Sequence, residues 1–197
     1  MTGNKPPSSD PSHPLLTLEP LLEAVEDGLG RAGWELSGLQ KTTSYEFEGR
    51  WAGESSRSAY LFFHREGVPG EASIDVFLDE TSRGLKGNLA LVLDGAALER
   101  LGPTREVLET LAALGRSALP PGYRTPLTLR YRLGKLDADP AGARTEFRFK
   151  LYIPREAMES GHATVADLAV TCARAFQEIL DSSPLAPLLD DGRPGPG

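Results

Sequence analysis

The sequence is poor in the side chains that most chemistry uses. It has one cysteine, Cys172, in 197 residues. No disulfide can form within the chain, which fits a reducing cytoplasm. The three histidines, His13, His64 and His162, stand far apart. Neither they nor Cys172 show the short spacings of a zinc site. No uninterrupted apolar run exceeds five residues, as at Leu89–Leu93, far short of the roughly 20 that span a membrane. The opening Met-Thr-Gly-Asn-Lys has no apolar segment behind it, so it does not read as a secretory signal. No repeat with a period of roughly 20–50 residues is visible.

Catalytic patterns are missing too. No serine sits in G-x-S-x-G. Helical spacing turns Cys172 inward, as a small core hydrophobe. The pairs Asp79-Glu80 and Asp190-Asp191 fall at turns, where nothing apolar splits two carboxylate pKa values. Asp137-x-Asp139 lacks the rest of a calcium loop. Gly28-Leu29-Gly30-Arg31-Ala32-Gly33 spells G-x-G-x-x-G, but it ends a helix instead of joining a strand to a helix start. Close packing and a helix stop are the better reading. The expectation is therefore a non-enzymatic protein with no catalytic residue, no cofactor and no metal site.

What the sequence does have is a clear succession of periods. Leu18, Leu21, Leu22, Val25 and Leu29 form a helical stripe, and Thr17 is a candidate N-cap. Two-residue alternation follows at Ser44–Trp51, Ser58–His64, Ala72–Leu78 and Leu85–Leu93. The second of these is apolar on both faces, which predicts a central strand. A helix in two pieces comes next, Ala96–Leu101 and Thr104–Leu119, broken at Gly102-Pro103. Strands at Pro126–Leu133 and Thr145–Ile153 precede a helix at Val165–Leu180, with Thr164 and Asp167 as a capping box. The predicted fold class is α+β, a mostly antiparallel sheet of about six strands with three main helices packed on it, in the order α-ββββ-α-ββ-α. Residues 1–14 hold four prolines and three serines and read as a disordered leader. Residues 15–189 read as one domain, and residues 190–197 as a disordered tail.

One surface feature stands out. The net charge is −7, yet Arg124–Arg155 holds eight basic and three acidic residues, a local balance of +5. Period two places Arg130, Arg132, Arg148, Lys150 and Tyr152 on one outward face. Such a face can meet an acidic protein, or follow a phosphate backbone and stack a base on the tyrosine, or simply be a solvated sheet face whose long cationic side chains keep it soluble and discourage edge pairing. Apolar residues on both faces of Ser58–His64 and Leu85–Leu93, with three helices to cover six strands, leave apolar surface for a second copy or a partner and also predict a homodimer.

The segments Leu18-Glu19-Pro20-Leu21-Leu22, Ala32-Gly33-Trp34-Glu35 and Phe149-Lys150-Leu151-Tyr152-Ile153-Pro154, set in this element order, resemble the type III secretion chaperone-like proteins, including the YbjN-like bacterial proteins. The resemblance implies a non-catalytic protein that binds other polypeptides, often as a dimer. The expected function is thus a cytoplasmic binding, adaptor or chaperone-like module with a protein partner and no membrane contact. The alternative is a stress or DNA-damage accessory protein that binds single-stranded nucleic acid on the basic face.

Overall fold

The computed structural model describes residues 13–44, 56–66, 72–121, 128–132 and 144–185. Within them run α1 (Leu18–Arg31), β1 (Glu35–Ser44), β2 (Ser56–His64), β3 (Ala72–Thr81), β4 (Gly84–Asp94), α2 (Gly95–Glu99), α3 (Thr104–Ala118), β5 (Thr128–Arg132), β6 (Arg144–Tyr152), α4 (Arg155–Ser160) and α5 (His162–Leu180). The strands lie in the order β1-β2-β3-β4-β6-β5, and every pairing is antiparallel. The chain is therefore α+β, with an antiparallel sheet.

Alternation writes one face of that sheet directly. Leu61, Val76, Leu89 and Leu151 stand opposite one another across four strands, and so do Phe63, Ile74, Leu91 and Phe149. All eight are buried. Helices α1 and α5 pack against each other over this face, closing a core that includes Leu21, Leu29, Trp34, Leu168 and Phe176. Alternation also puts Phe47 and Leu129 inward; Phe47 lies outside the described residues. For Leu129 only the backbone is placed, opposite Phe147.

Several elements differ from the expectation. The first strand is Glu35–Ser44; the expected Ser44–Trp51 shares only Ser44 with it, and residues 45–51 lie outside the described residues. A bulge hides β1 from a period-two reading. Its register jumps between Leu36 and Gly38, so Leu36 and Leu39 share a face although three residues apart. The described residues hold five α-helices where three main ones were expected. Of the two short ones, α2 with five residues is the expected first piece at Ala96–Leu101, and α4 with six is too short to show a stripe.

The helix starts differ as well. Helix α5 begins at His162, and its N-cap is Gly161 at φ 99°. Thr164 and Asp167 therefore sit inside the helix and form no capping box. Thr17 holds the N-cap position of α1, but its side chain makes no capping bond. Instead the Leu18 amide donates to Glu80 Oε2 of β3 at 2.6 Å. A carboxylate from the sheet satisfies one of the orphan amides and complements the positive end of the helix dipole. At the other end Gly33 takes φ 81°, and the Trp34 amide donates back to Leu29 O. That is the glycine stop expected there.

Candidate functional site: the open face of the sheet

The helices cover one face of the sheet. On the other face, alternate residues of each strand point away from the core. Register puts Gln40, Tyr60, Phe77, Asn88 and Tyr152 in one row across five strands. The adjacent row holds Gly38, Phe62, Asp75, Ala90 and Lys150. Three aromatic rings here are open to solvent: Tyr60 is 40% exposed, Phe62 38% and Tyr152 56%. Tyr60 and Phe77 stack across β2 and β3 with centroids 4.8 Å apart and planes tilted by 43°. Lys150 Nζ sits 5.0 Å above the Tyr152 ring, a cation–π geometry.

The charged groups of this face are tied to one another. Arg148 Nη2 lies 3.0 Å from Asp75 Oδ2 and 2.9 Å from Glu146 Oε2. Its Nε donates to the same Glu146 oxygen at 3.1 Å, and Ser73 Oγ donates to Asp75 Oδ1 at 2.9 Å. Burial pushes the Asp75 carboxyl above its ordinary range, and the bonds from Ser73 and Arg148 only partly offset this. Arg148 is just 19% exposed. It belongs to a half-buried ionic knot, where removing one member is costly.

The expected basic face is placed as follows. Thr128, Arg130 and Arg132 of β5 stand opposite Arg148, Glu146 and Arg144 of β6. Arg148, Lys150 and Tyr152 fall on the open side, as period two requires, while Arg130 and Arg132 are placed by backbone register alone. Arg148 is bound to two acids, Lys150 covers Tyr152, and only the backbone of β5 is described. The larger apolar feature is Tyr60, Phe62 and Phe77. The apolar second face of Ser58–His64 signals the first two, whereas Phe77 alternates outward with Ser73 and Asp75 and gives no signal of its own.

The other candidates fall elsewhere. His64 is exposed at the end of β2. A cleft of about 190 Å³ opens beside α2, α3 and β6, with Leu98, Val107 and Phe147 among its walls and Glu99, Thr104 and Thr145 beside them. It contains no histidine or cysteine. Cys172 is buried, and burial pushes its thiol up to about 12, so the thiolate needed of a nucleophile is scarce. Among the described residues no group of three or more His, Cys, Asp or Glu is gathered as a metal would need. No helix among them is long and apolar enough to cross a membrane.

Comparison with protein-family models, curated proteins and solved structures gives no match. The likeness to type III secretion chaperone-like proteins therefore rests on sequence pattern alone.

Proposed function

We propose that the protein is a non-enzymatic binding module that takes an extended segment of another polypeptide on the open face of its sheet. The observation that carries this reading is the set of solvent-open rings, Tyr60, Phe62 and Tyr152, on a face that no described helix covers. Aromatic side chains supply large contact area at low entropic cost and dominate polypeptide recognition. The amides of Gln40 and Asn88 lie in the same row and suit the N–H and C=O groups of a peptide backbone. From Tyr60 to Tyr152 the row crosses three strand intervals, about 14 Å. An extended peptide covers that distance in four residues, at about 3.4 Å each. Two apolar side chains four apart would then reach both ends of the row. A lone cysteine in a reducing cytoplasm is consistent with such an adaptor.

A second reading is single-stranded nucleic acid stacked on Tyr152, favoured by the cation above that ring. It ranks lower because Arg148 is already neutralised by Asp75 and Glu146 and the chain carries a net charge of −7.

The test is fluorescence anisotropy of the full chain against a library of short labelled peptides with apolar residues four apart, alongside a labelled single-stranded oligonucleotide at two salt concentrations. Peptide binding that weakens at least tenfold in Tyr60→Ala and Tyr152→Ala, and changes little with salt, supports the proposal. Oligonucleotide binding alone, falling with salt at a log–log slope near −0.7 per neutralised phosphate, would replace it with the second reading.

A further inference from the structure

Four of the six large hydrophobic side chains exposed among the described residues belong to β1 and β2. Tyr60 and Phe62 face the open side. Leu36, 37% exposed, and Leu39, 45% exposed, stand opposite Phe63 and Leu61 and so face the helix side. The helical layer leaves them uncovered. Strand β1 also ends the strand order, pairing only with β2. One edge of its backbone therefore meets no other strand among the described residues, and an edge of this kind is a template for a further strand.

The bulge decides which strand fits. Ser37 is the extra residue, and its hydroxyl donates to Phe62 O at 2.9 Å. An edge bent this way resists a regular strand. We infer that the strand it accepts is β1 of a second copy, paired antiparallel about a two-fold axis between Ser37 and Gly38. The bulges of the two copies then coincide. Leu36 of each copy stands opposite Leu39 of the other, and four leucines close over one another on the helix side, with facing Cβ atoms about 5 Å apart. Glu35 meets Gln40 of the second copy on the open side. Lys41, the one cation of β1, falls opposite Trp34 of the second copy. The two lysines are thus at opposite ends of the seam and do not repel each other. This pairing is isologous and closes at two copies. It shares Gln40 with the open face but needs no ligand there.

The experiment is sedimentation equilibrium and light scattering on the full chain over a wide concentration range. The expected mass is twice the 21.2 kDa of one chain. Leu36→Lys and Leu39→Lys alter half-exposed positions, so both variants should keep the wild-type circular dichroism and melting curve. Each should raise the dimer dissociation constant at least tenfold. Register is read with L36C and L39C chains oxidised to an intermolecular disulfide, which needs Cβ atoms about 4 Å apart. A mixture of the two variants should cross-link efficiently, because those positions face each other. Either variant alone should cross-link poorly, because like positions are diagonal neighbours about 7–8 Å apart, and buried Cys172 does not compete. Three results would overturn the proposal: a wild-type monomer at every concentration, a dimer that both lysine variants leave intact, or cross-linking equal in single and mixed samples.

Discussion

Gly28 of α1 lies against the backbone of Ala166 in α5. A Cβ built on Gly28 would meet the Ala166 carbonyl oxygen and come within 2.7 Å of the Ala169 Cβ. The helix pair depends on that missing methyl group. The three glycines of the G-x-G-x-x-G match accordingly have separate roles. Gly28 allows the helices to approach, Gly33 ends α1 at positive φ, and Gly30 has open space around it. None of these is the strand-to-helix turn that would cradle a phosphate.

Gly28→Ala and Gly30→Ala should therefore act in opposite directions. Alanine is the better helix former by up to about 1 kcal/mol. At position 30 nothing opposes this, and a gain of about 0.5 kcal/mol is expected. At position 28 the new methyl meets backbone that cannot swing aside, and a net loss of about 1–3 kcal/mol is expected from overpacking. Urea unfolding of both variants checks this. Equal effects would mean that α1 and α5 are free to separate without cost.

The N-terminus of α1 gives a second contrast. Glu80 Oε2 accepts from the Leu18 amide and from Arg57 Nη2, each at 2.6 Å, while the Thr17 hydroxyl caps nothing. Glu80→Ala should cost about 1–2 kcal/mol, the range of a lost cap. Thr17→Ala should fall within about 0.5 kcal/mol of wild type, as surface changes usually do. Sequence favoured the opposite assignment, because a threonine before a helical stripe is a local signal. A carboxylate 62 residues away becomes a cap only when β3 folds beneath the helix.

Legibility divides along that line. The stripes of α1, α3 and α5 and the inward residues of β2, β3, β4 and β6 follow from their own periods, and burial agrees with them at Leu61, Ile74, Leu91, Phe149, Leu168 and Phe176. The bulge at Ser37 broke the period and hid β1. The start of α5 depends on Gly161 at φ 99°, which no apolar pattern encodes. At the candidate site the outward phase of Arg148, Lys150 and Tyr152 could be read from β6 alone. That Arg148 is neutralised by Asp75 could not, because the two are 73 residues apart and meet only across β4. Tyr60 and Phe62 were recognised as apolar, but whether a helix covers them is a property of the assembled layers.

Asp75 makes stability depend on pH in a definite direction. Its folded-state pKa is raised above the ordinary 3.8, chiefly by burial. The fold thus binds that proton more tightly than the unfolded chain does. The associated stability is fully present below the unfolded value and is lost as pH rises through the folded value. The stability of wild type minus that of Asp75→Asn should therefore increase as pH falls from neutral toward 3.8, and should be flat above the folded value. Urea titrations of both proteins at matched pH steps measure the difference. A decrease on acidification would mean that the bridge to Arg148 outweighs burial and holds Asp75 ionised.

Arg148 is the position where charge and stability meet most sharply. On an exposed basic stripe its reversal would change binding and leave the fold intact, which is what its outward phase suggests. Here Arg148 is 19% exposed and donates to both Asp75 and Glu146. Arg148→Glu would place a third carboxylate beside two that have lost their counter-ion. A loss of about 2–4 kcal/mol is expected, at or just below the range for breaking a fully buried pair. Arg148→Met should still be destabilised, since both acids remain unpaired, but by less, because no new like charge is added. The triple change of Arg148→Met with Asp75→Asn and Glu146→Gln should recover much of the loss, for replacing every member of such a cluster is often neutral. Guanidinium unfolding of the three proteins gives the order. If Arg148→Glu melts like wild type, the knot contributes nothing, and Arg148 is then available to a ligand on the open face.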